Sequence, residues 1–167
     1  MKVTSGLIKI GIGEDSHRFS KSIKPLVLGG VIVSKKGGLE ANSDGDVILH
    51  SLCNALSSAI GGDSISTWSE EMCLKQKIID SKEYVKVIFK KVKDDKYNVS
   101  NVSISIEAKK PRFSLEQLNK IKMSLAKILK INVKQVGLTI TSGEGLSEFG
   151  NGKGIKVLCA VLLIKNG

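Results

Sequence analysis

Residues 101–108 read Asn101-Val102-Ser103-Ile104-Ser105-Ile106-Glu107-Ala108, with apolar and polar side chains alternating along the run. Period two marks a strand, because successive side chains point to opposite faces of a sheet. Pro111 closes the run. Ser114 with Gln117 then forms a capping box that opens a helix whose Leu118, Ile121, Leu125, Ile128 and Leu129 face inward. Upstream, residues 7–13 and 26–33 read as strands, with Gly29-Gly30 in the second suggesting a bulge or a close backbone approach. Ser43 reads as an N-cap with Asp46 at the third position, opening a helix with Val47, Ile48, Leu52, Ala55, Leu56, Ala59 and Ile60 buried; Gly61-Gly62 stop it. Residues 63–77 lack periodicity and read as a loop. Another helix starts near Asp80-Ser81 and runs to about Lys93, and residues 137–142 and 155–164 supply two final strands. This order predicts an α+β fold: a single sheet of mainly antiparallel strands covered by helices on one face. The uncovered face needs a partner, and a second subunit is the simplest one. No repeat or linker interrupts the chain, so residues 1–167 read as one domain.

The composition, 41% hydrophobic and 25% charged with two prolines in 167 residues, is that of a globular protein and excludes a disordered one. No run approaches the ~18 apolar residues of a membrane span, and the N-terminus lacks a secretory pattern. Cys53, Cys73 and Cys159 are odd in number and show no CxxC spacing, which excludes a disulfide scaffold and points to the cytoplasm. The net charge of +10 raises the question of nucleic acid, but the lysines are scattered, Arg18 and Arg112 are the two arginines, and aromatics are 4%. An anionic small substrate fits the charge equally well.

Chemistry concentrates in few residues. Asp15 and His17, two apart in an extended segment, project to the same side and can converge on one ion. His50 lies on a polar helical stripe Asp46-His50-Asn54 that needs either solvent or a site. An aspartate and two histidines suit zinc with its fourth position open, although spacing alone leaves both histidines free to be ordinary packed or surface residues. The loop Thr141-Ser142-Gly143-Glu144-Gly145-Leu146 offers hydroxyls, backbone N–H groups and a carboxylate, a set for phosphate and a hard cation, or simply a glycine-rich turn. Ala108-Lys109-Lys110-Pro111-Arg112 is a basic turn able to meet phosphate or a base edge, or a solvated charge run.

The ordered set GIGEDSHRF, LGGVIV, NSDGDVILHSLCNAL, Gly62-Asp63, IEAKKPRF and TSGEGL resembles the 2-C-methyl-D-erythritol 2,4-cyclodiphosphate synthase family over nearly the whole chain. The resemblance implies that the 2-phosphate of a cytidine diphosphate-linked methylerythritol attacks the β-phosphorus and that CMP leaves as the ring closes. It implies zinc on Asp15, His17 and His50, and a second divalent cation, magnesium or manganese, on Glu144. It assigns Asn42 and Ser142 to catalysis, Ser43 and Gly143 to substrate binding, Asp63 to the ribose, and Ala108, Arg112, Thr141 and Ser142 to the cytidine pocket. A homotrimer with the sheets facing its centre and active sites between subunits is also implied, with no nucleic-acid or membrane partner. An ionised phosphate nucleophile needs charge neutralised and groups held in line rather than a strong base, so the lack of a Ser-His constellation agrees.

The chain departs from the family pattern at several points. Asn42 stands where many members have histidine, just before Ser43 and therefore expected beside a helix N-terminus that favours anions. Ser142 replaces a common threonine, Asn151 and Lys153 replace a common arginine and glutamate, and residues 65–73 replace the usual proline-rich loop. Two rivals carry forward: a metal-dependent phosphohydrolase or nucleotide-binding protein on the same triad, and a basic nucleic-acid-binding module.

Overall fold

The alternation at residues 101–108 is part of a longer strand. In the computed structural model, which describes residues 7–166, it runs Tyr97–Glu107 (β4). Val102, Ile104 and Ile106 are buried while Ser103 and Ser105 are exposed, so one face packs and the other is bare. β4 pairs antiparallel with Gly154–Lys165 (β6), and β6 pairs antiparallel with Ile8–Arg18 (β1). On its other side β4 pairs parallel with Val136–Thr141 (β5), giving the order β1-β6-β4-β5. A parallel pair needs a long crossover, and the helix Leu115–Leu129 (α4) supplies it, opened by the expected Ser114–Gln117 capping box. The fold is α+β with a mainly antiparallel sheet.

The expected second strand is instead a separate hairpin, Leu26–Leu28 (β2) with Val31–Ser34 (β3), outside the main sheet. Gly29 and Gly30 are its turn, with φ of +61° and +75°. Positive φ at both turn positions matches the twist of a two-residue hairpin and favours glycine.

The helix Val47–Ala59 (α1) starts later than expected. Its N-cap is Asp46, not Ser43: Asp46 Oδ1 accepts from Leu49 N at 3.0 Å. Asp46 is fully buried and also takes Gly29 N at 2.8 Å and Gly30 N at 2.6 Å, so one carboxylate caps the helix and clamps the hairpin turn. Ser43 lies in a turn before it, its Oγ accepting from Gly45 N at 3.2 Å. Gly45 at φ +74° keeps helical geometry from extending back to Ser43.

Residues 63–77 are not a plain loop. Ser66–Glu70 is helical (α2) and runs into a π-helical turn, Glu71–Lys75. Ile65, Trp68 and Met72 pack against the core at helical spacing, a stripe too short for its period to stand out among polar neighbours. The helix Ser81–Asp94 (α3) is capped by Asp80, whose side chain accepts from Lys82 N at 2.9 Å.

α1 lies directly on β1. A Cβ added at Gly13 would sit 2.2 Å from Ser51 O, and one at Gly11 would sit 2.0 Å from Ala55 O. These two glycines let helix backbone touch strand backbone, which brings the start of α1 over the end of β1. The opposite sheet face is bare and aliphatic: Ile8, Ile10 and Ile12 are 52%, 69% and 60% exposed and pair across to Ile164, Leu162 and Ala160. Among the described residues no helix is long and apolar enough to cross a membrane, and Cys53, Cys73 and Cys159 are free and buried.

Candidate metal centre

β1 remains extended through Arg18, so Asp15 and His17 share the face that looks toward α1. His50 comes from the first turn of α1 and meets them there. His17 Nε2 and His50 Nδ1 each lie 3.0 Å from Asp15 Oδ2, and the two nitrogens are 3.2 Å apart. Tetrahedral ligands at ~2.05 Å from an ion would be ~3.3 Å apart, so a small inward cage of this size fits zinc-type coordination. Nitrogen donors also suit such an ion better than magnesium or calcium, which prefer all-oxygen shells. Among the described residues this is the one group of three or more His, Cys, Asp or Glu side chains arranged to hold an ion. Burial alone would raise the Asp15 carboxyl, but the adjacent His17 and His50 rings outweigh it and hold it well below the usual carboxylate range.

The polar stripe of α1 divides its labour. Asp46 serves the hairpin, as above, and His50 serves the triad. Asn54 donates to Glu14 O at 3.2 Å and accepts from Ile65 N at 2.8 Å, tying α1 to both β1 and the start of the α2 segment. Behind the triad, His50 Nε2 lies 2.8 Å from Ser81 Oγ and 3.3 Å from Ser43 Oγ. Ser81 Oγ donates to Asp44 Oδ1 at 2.5 Å.

The triad lines a cleft of about 410 Å³. Asn42 and Ser43 line it too, brought there by the loop before α1; the helix-terminus setting expected for Asn42 is absent because α1 begins five residues later. Ile65, Ser66, Ser69, Cys73 and Leu74 form an opposing wall, supplied by the segment expected to be a plain loop. Ser81, Asp44 and this wall were not apparent as site residues. Asp44 lies inside the quoted SDGD run and Ser81 at an expected helix start, but nothing in the sequence joins two residues 37 apart.

The other expected site residues do not join the triad within one chain. Ser16, Lys156, Glu107 and Thr141 are in register across β1, β6, β4 and β5. Three strand spacings of ~4.8 Å put Thr141 ~14 Å from β1, at the far edge of the same end of the sheet. Thr141, Ser142, Gly143 and Glu144 form a compact turn there. Gly143 N donates to Thr141 Oγ1 at 3.2 Å, Glu144 N donates to Ser142 Oγ at 3.4 Å, and the Ser142 hydroxyl donates to Glu144 Oε1. Ala108 is tied to this turn by its N–H to Thr141 O at 3.0 Å, and Arg112 is exposed. Asp63 is exposed beside the end of α1, its carbonyl accepting from Ser57 Oγ at 2.6 Å, and lines a different, shallow depression. One chain therefore carries the triad and the Glu144 turn at opposite edges of its sheet.

Known proteins share both sequence and shape with this chain. A 2-C-methyl-D-erythritol 2,4-cyclodiphosphate synthase of Chlamydia felis is 40% identical over 159 residues, covering 94% of this chain and 89% of that protein. A protein of the same name from Chlamydia muridarum is 37% identical over 161 residues, covering 95% and 89%. The CDP complex of IspF from Plasmodium falciparum superposes with a TM-score of 0.83 at 26% identity, covering 98% of this chain and 100% of that one. The bifunctional IspDF of Campylobacter jejuni gives 0.87 at 31% identity; the match covers 95% of this chain and 42% of that chain. Residues 8–164, which run from the first residue of β1 to the penultimate residue of β6 and so include the triad and the distant turn alike, match the YgbB family, and the chain belongs to it.

Proposed function

We propose that this chain is a 2-C-methyl-D-erythritol 2,4-cyclodiphosphate synthase acting in isoprenoid precursor biosynthesis. It would convert 4-diphosphocytidyl-2-C-methyl-D-erythritol 2-phosphate to the 2,4-cyclodiphosphate and CMP. The observation that carries this reading is the Asp15–His17–His50 triad, converging within about 3 Å at a cleft wide enough for a diphosphate, on a family chain matched nearly end to end. In the proposed step a 2-phosphate oxygen bonds to the β-phosphorus, the bond from that phosphorus to its bridging oxygen breaks, and that oxygen leaves with CMP. No water enters, which makes the enzyme a phosphorus–oxygen lyase.

A zinc ion on Asp15, His17 and His50 would supply Lewis acidity toward the diphosphate. The chain's own residues do the rest. Asn42 and Ser43, on the cleft wall, orient phosphate oxygens through neutral hydrogen bonds. The α2 wall excludes water that would otherwise compete as nucleophile. Glu144 holds the second divalent cation, magnesium or manganese, and Ser142 beside it positions that carboxylate. Ala108, Arg112, Thr141 and Gly143 receive the cytidine and its phosphate, and Asp63 the ribose.

The distance between the triad and the Glu144 turn supports an active site shared by neighbouring copies, with one chain's triad facing the next chain's turn. The bare aliphatic face of β1 and β6 supports the homotrimer that would achieve this, with the sheets facing its centre. Buried free thiols agree with a reducing, cytoplasmic setting. Incubation of the purified protein with the diphosphocytidyl substrate and magnesium, followed by mass spectrometry, tests the reading. CMP with an equimolar cyclic diphosphate is expected; a linear phosphate product would favour a phosphohydrolase on the same triad.

A further inference from the structure

A histidine can ligate a metal through Nδ1 only if that nitrogen is free of its proton. In metal-free protein the Asp15 carboxylate lies 3.0 Å from His50 Nδ1 and is a strong acceptor, so it draws the imidazole proton to the wrong nitrogen. Something on the far side of the ring must oppose this.

The far side holds Ser81, which is fully buried and 2.8 Å from His50 Nε2. The Ser81 hydroxyl is not occupied with its own helix, because Asp80 caps α3. It has one proton, and that proton goes to Asp44 Oδ1 at 2.5 Å. A carboxylate only accepts, so the direction of this bond is fixed, and Ser81 Oγ can offer His50 only a lone pair. Ser43 Oγ is the more distant neighbour of Nε2 at 3.3 Å and already accepts from Gly45 N, so the shorter 2.8 Å contact to Ser81 favours a His50 that donates from Nε2 and keeps Nδ1 bare toward Asp15 and His17. Asp44 is itself held in place. Its Oδ2 accepts from Ser81 N at 3.1 Å, its Oδ1 accepts from Asp46 N at 3.1 Å, and its own N–H donates to Ile79 O at 2.9 Å.

We infer that Asp44 and Ser81 are positioning residues that fix His50 as the Nε2–H tautomer and so preform the Nδ1 ligand before any metal arrives. They meet the triad through His50, and neither lines the cleft. The inference rests on the reading of Asp15, His17 and His50 as metal ligands, and its test separates the two. Outer partners of ligating histidines typically contribute roughly ten- to a hundred-fold to metal affinity.

The chain has two histidines, so nitrogen NMR of the zinc-free protein at mildly alkaline pH gives two ring systems, with His50 assigned by comparison with His50→Ala. Wild type should show the His50 proton on Nε2. Ser81→Ala should move a substantial part of it to Nδ1 and weaken zinc binding, measured against a competing chelator, by roughly ten- to a hundred-fold. Ser81→Thr restores the hydroxyl and should recover both. A wild-type His50 protonated on Nδ1 would overturn the inference. So would Ser81→Ala with unchanged tautomer, whether or not its zinc affinity falls, since a loss without the tautomer change means Ser81 merely supports the fold. Wild-type protein that binds no zinc would refute the metal reading itself and take the inference with it.

Discussion

Gly13→Ala tests how the fold builds the metal site. The new Cβ would sit 2.2 Å from Ser51 O, 2.3 Å from Ala55 N and 2.7 Å from Asn54 Cβ. The two nearest atoms are helix backbone and cannot rotate away, so reaching an ordinary ~3.4 Å contact requires α1 to lift from β1 by ~1.2 Å. Overpacking of this kind costs ~1–3 kcal/mol, and with rigid atoms on the receiving side ~3 kcal/mol is expected here. The consequence for the site is larger. Ser51 follows His50, so the lift carries His50 away from Asp15, whereas coordination distances tolerate only ~0.2 Å. Urea denaturation of zinc-free protein should show the stability loss, and competition with a chelator should show zinc binding weakened by at least ~100-fold, beyond the range of outer-shell changes. Gly37→Ala is the control. It forces a residue with φ +75° into open space with nothing within 4 Å, so it should lose ~1 kcal/mol to backbone strain and keep its zinc. A Gly13→Ala protein with zinc affinity within about threefold of wild type would refute the claim that this close contact sets the triad.

Three other substitutions divide the remaining roles. His50→Ala should lose bound zinc and turnover while its circular dichroism remains that of wild type, because the residue lies at the edge of the core; undiminished zinc would sink the ligand assignment. Glu144→Gln should lower turnover, raise the magnesium or manganese requirement and leave zinc content normal. Co-expression of His50→Ala and Glu144→Gln chains should restore activity to about a quarter of the sites if each site joins two copies, and should restore none if one chain makes a whole site. Asp46→Ala removes the α1 cap and orphans Gly29 N and Gly30 N in the hairpin turn, so it should cost ~3–5 kcal/mol in denaturant unfolding; a loss below ~1 kcal/mol would show the clamp to be incidental.

What the sequence made legible follows the range of the forces involved. Period-two and helical patterns are local, and they located β4, α1, α3 and α4 because each element buries one face on the same core. The D-x-H spacing was readable because a strand fixes side-chain direction over two residues, and the structure keeps Asp15 and His17 on one face. Cap identity was misread at Ser43 because a local rule could not see that Asp46 also serves the Gly29-Gly30 turn, 16 and 17 residues away. That same glycine pair, read as a bulge or a close backbone approach, is the hairpin turn, and its place between two short apolar runs, residues 26–28 and 31–33, carried the signal. The α2 wall was hidden because its apolar stripe spans only Ile65, Trp68 and Met72. The Asp44–Ser81–His50 chain was invisible for a different reason: hydrogen bonds between distant segments leave no periodicity. The separation of the Glu144 turn from the triad is likewise a matter of strand order, which pairing in three dimensions decides.

The central claim is that the bound phosphate, and not water, attacks the β-phosphorus. Turnover of the diphosphocytidyl substrate by the zinc-replete protein in heavy-oxygen water measures this directly, with each product weighed by mass spectrometry. Cyclisation predicts CMP and a cyclic diphosphate that both contain no solvent oxygen, because the only oxygen to move is the bridging atom that leaves with CMP. One heavy oxygen in either primary product would contradict the account and identify a hydrolase.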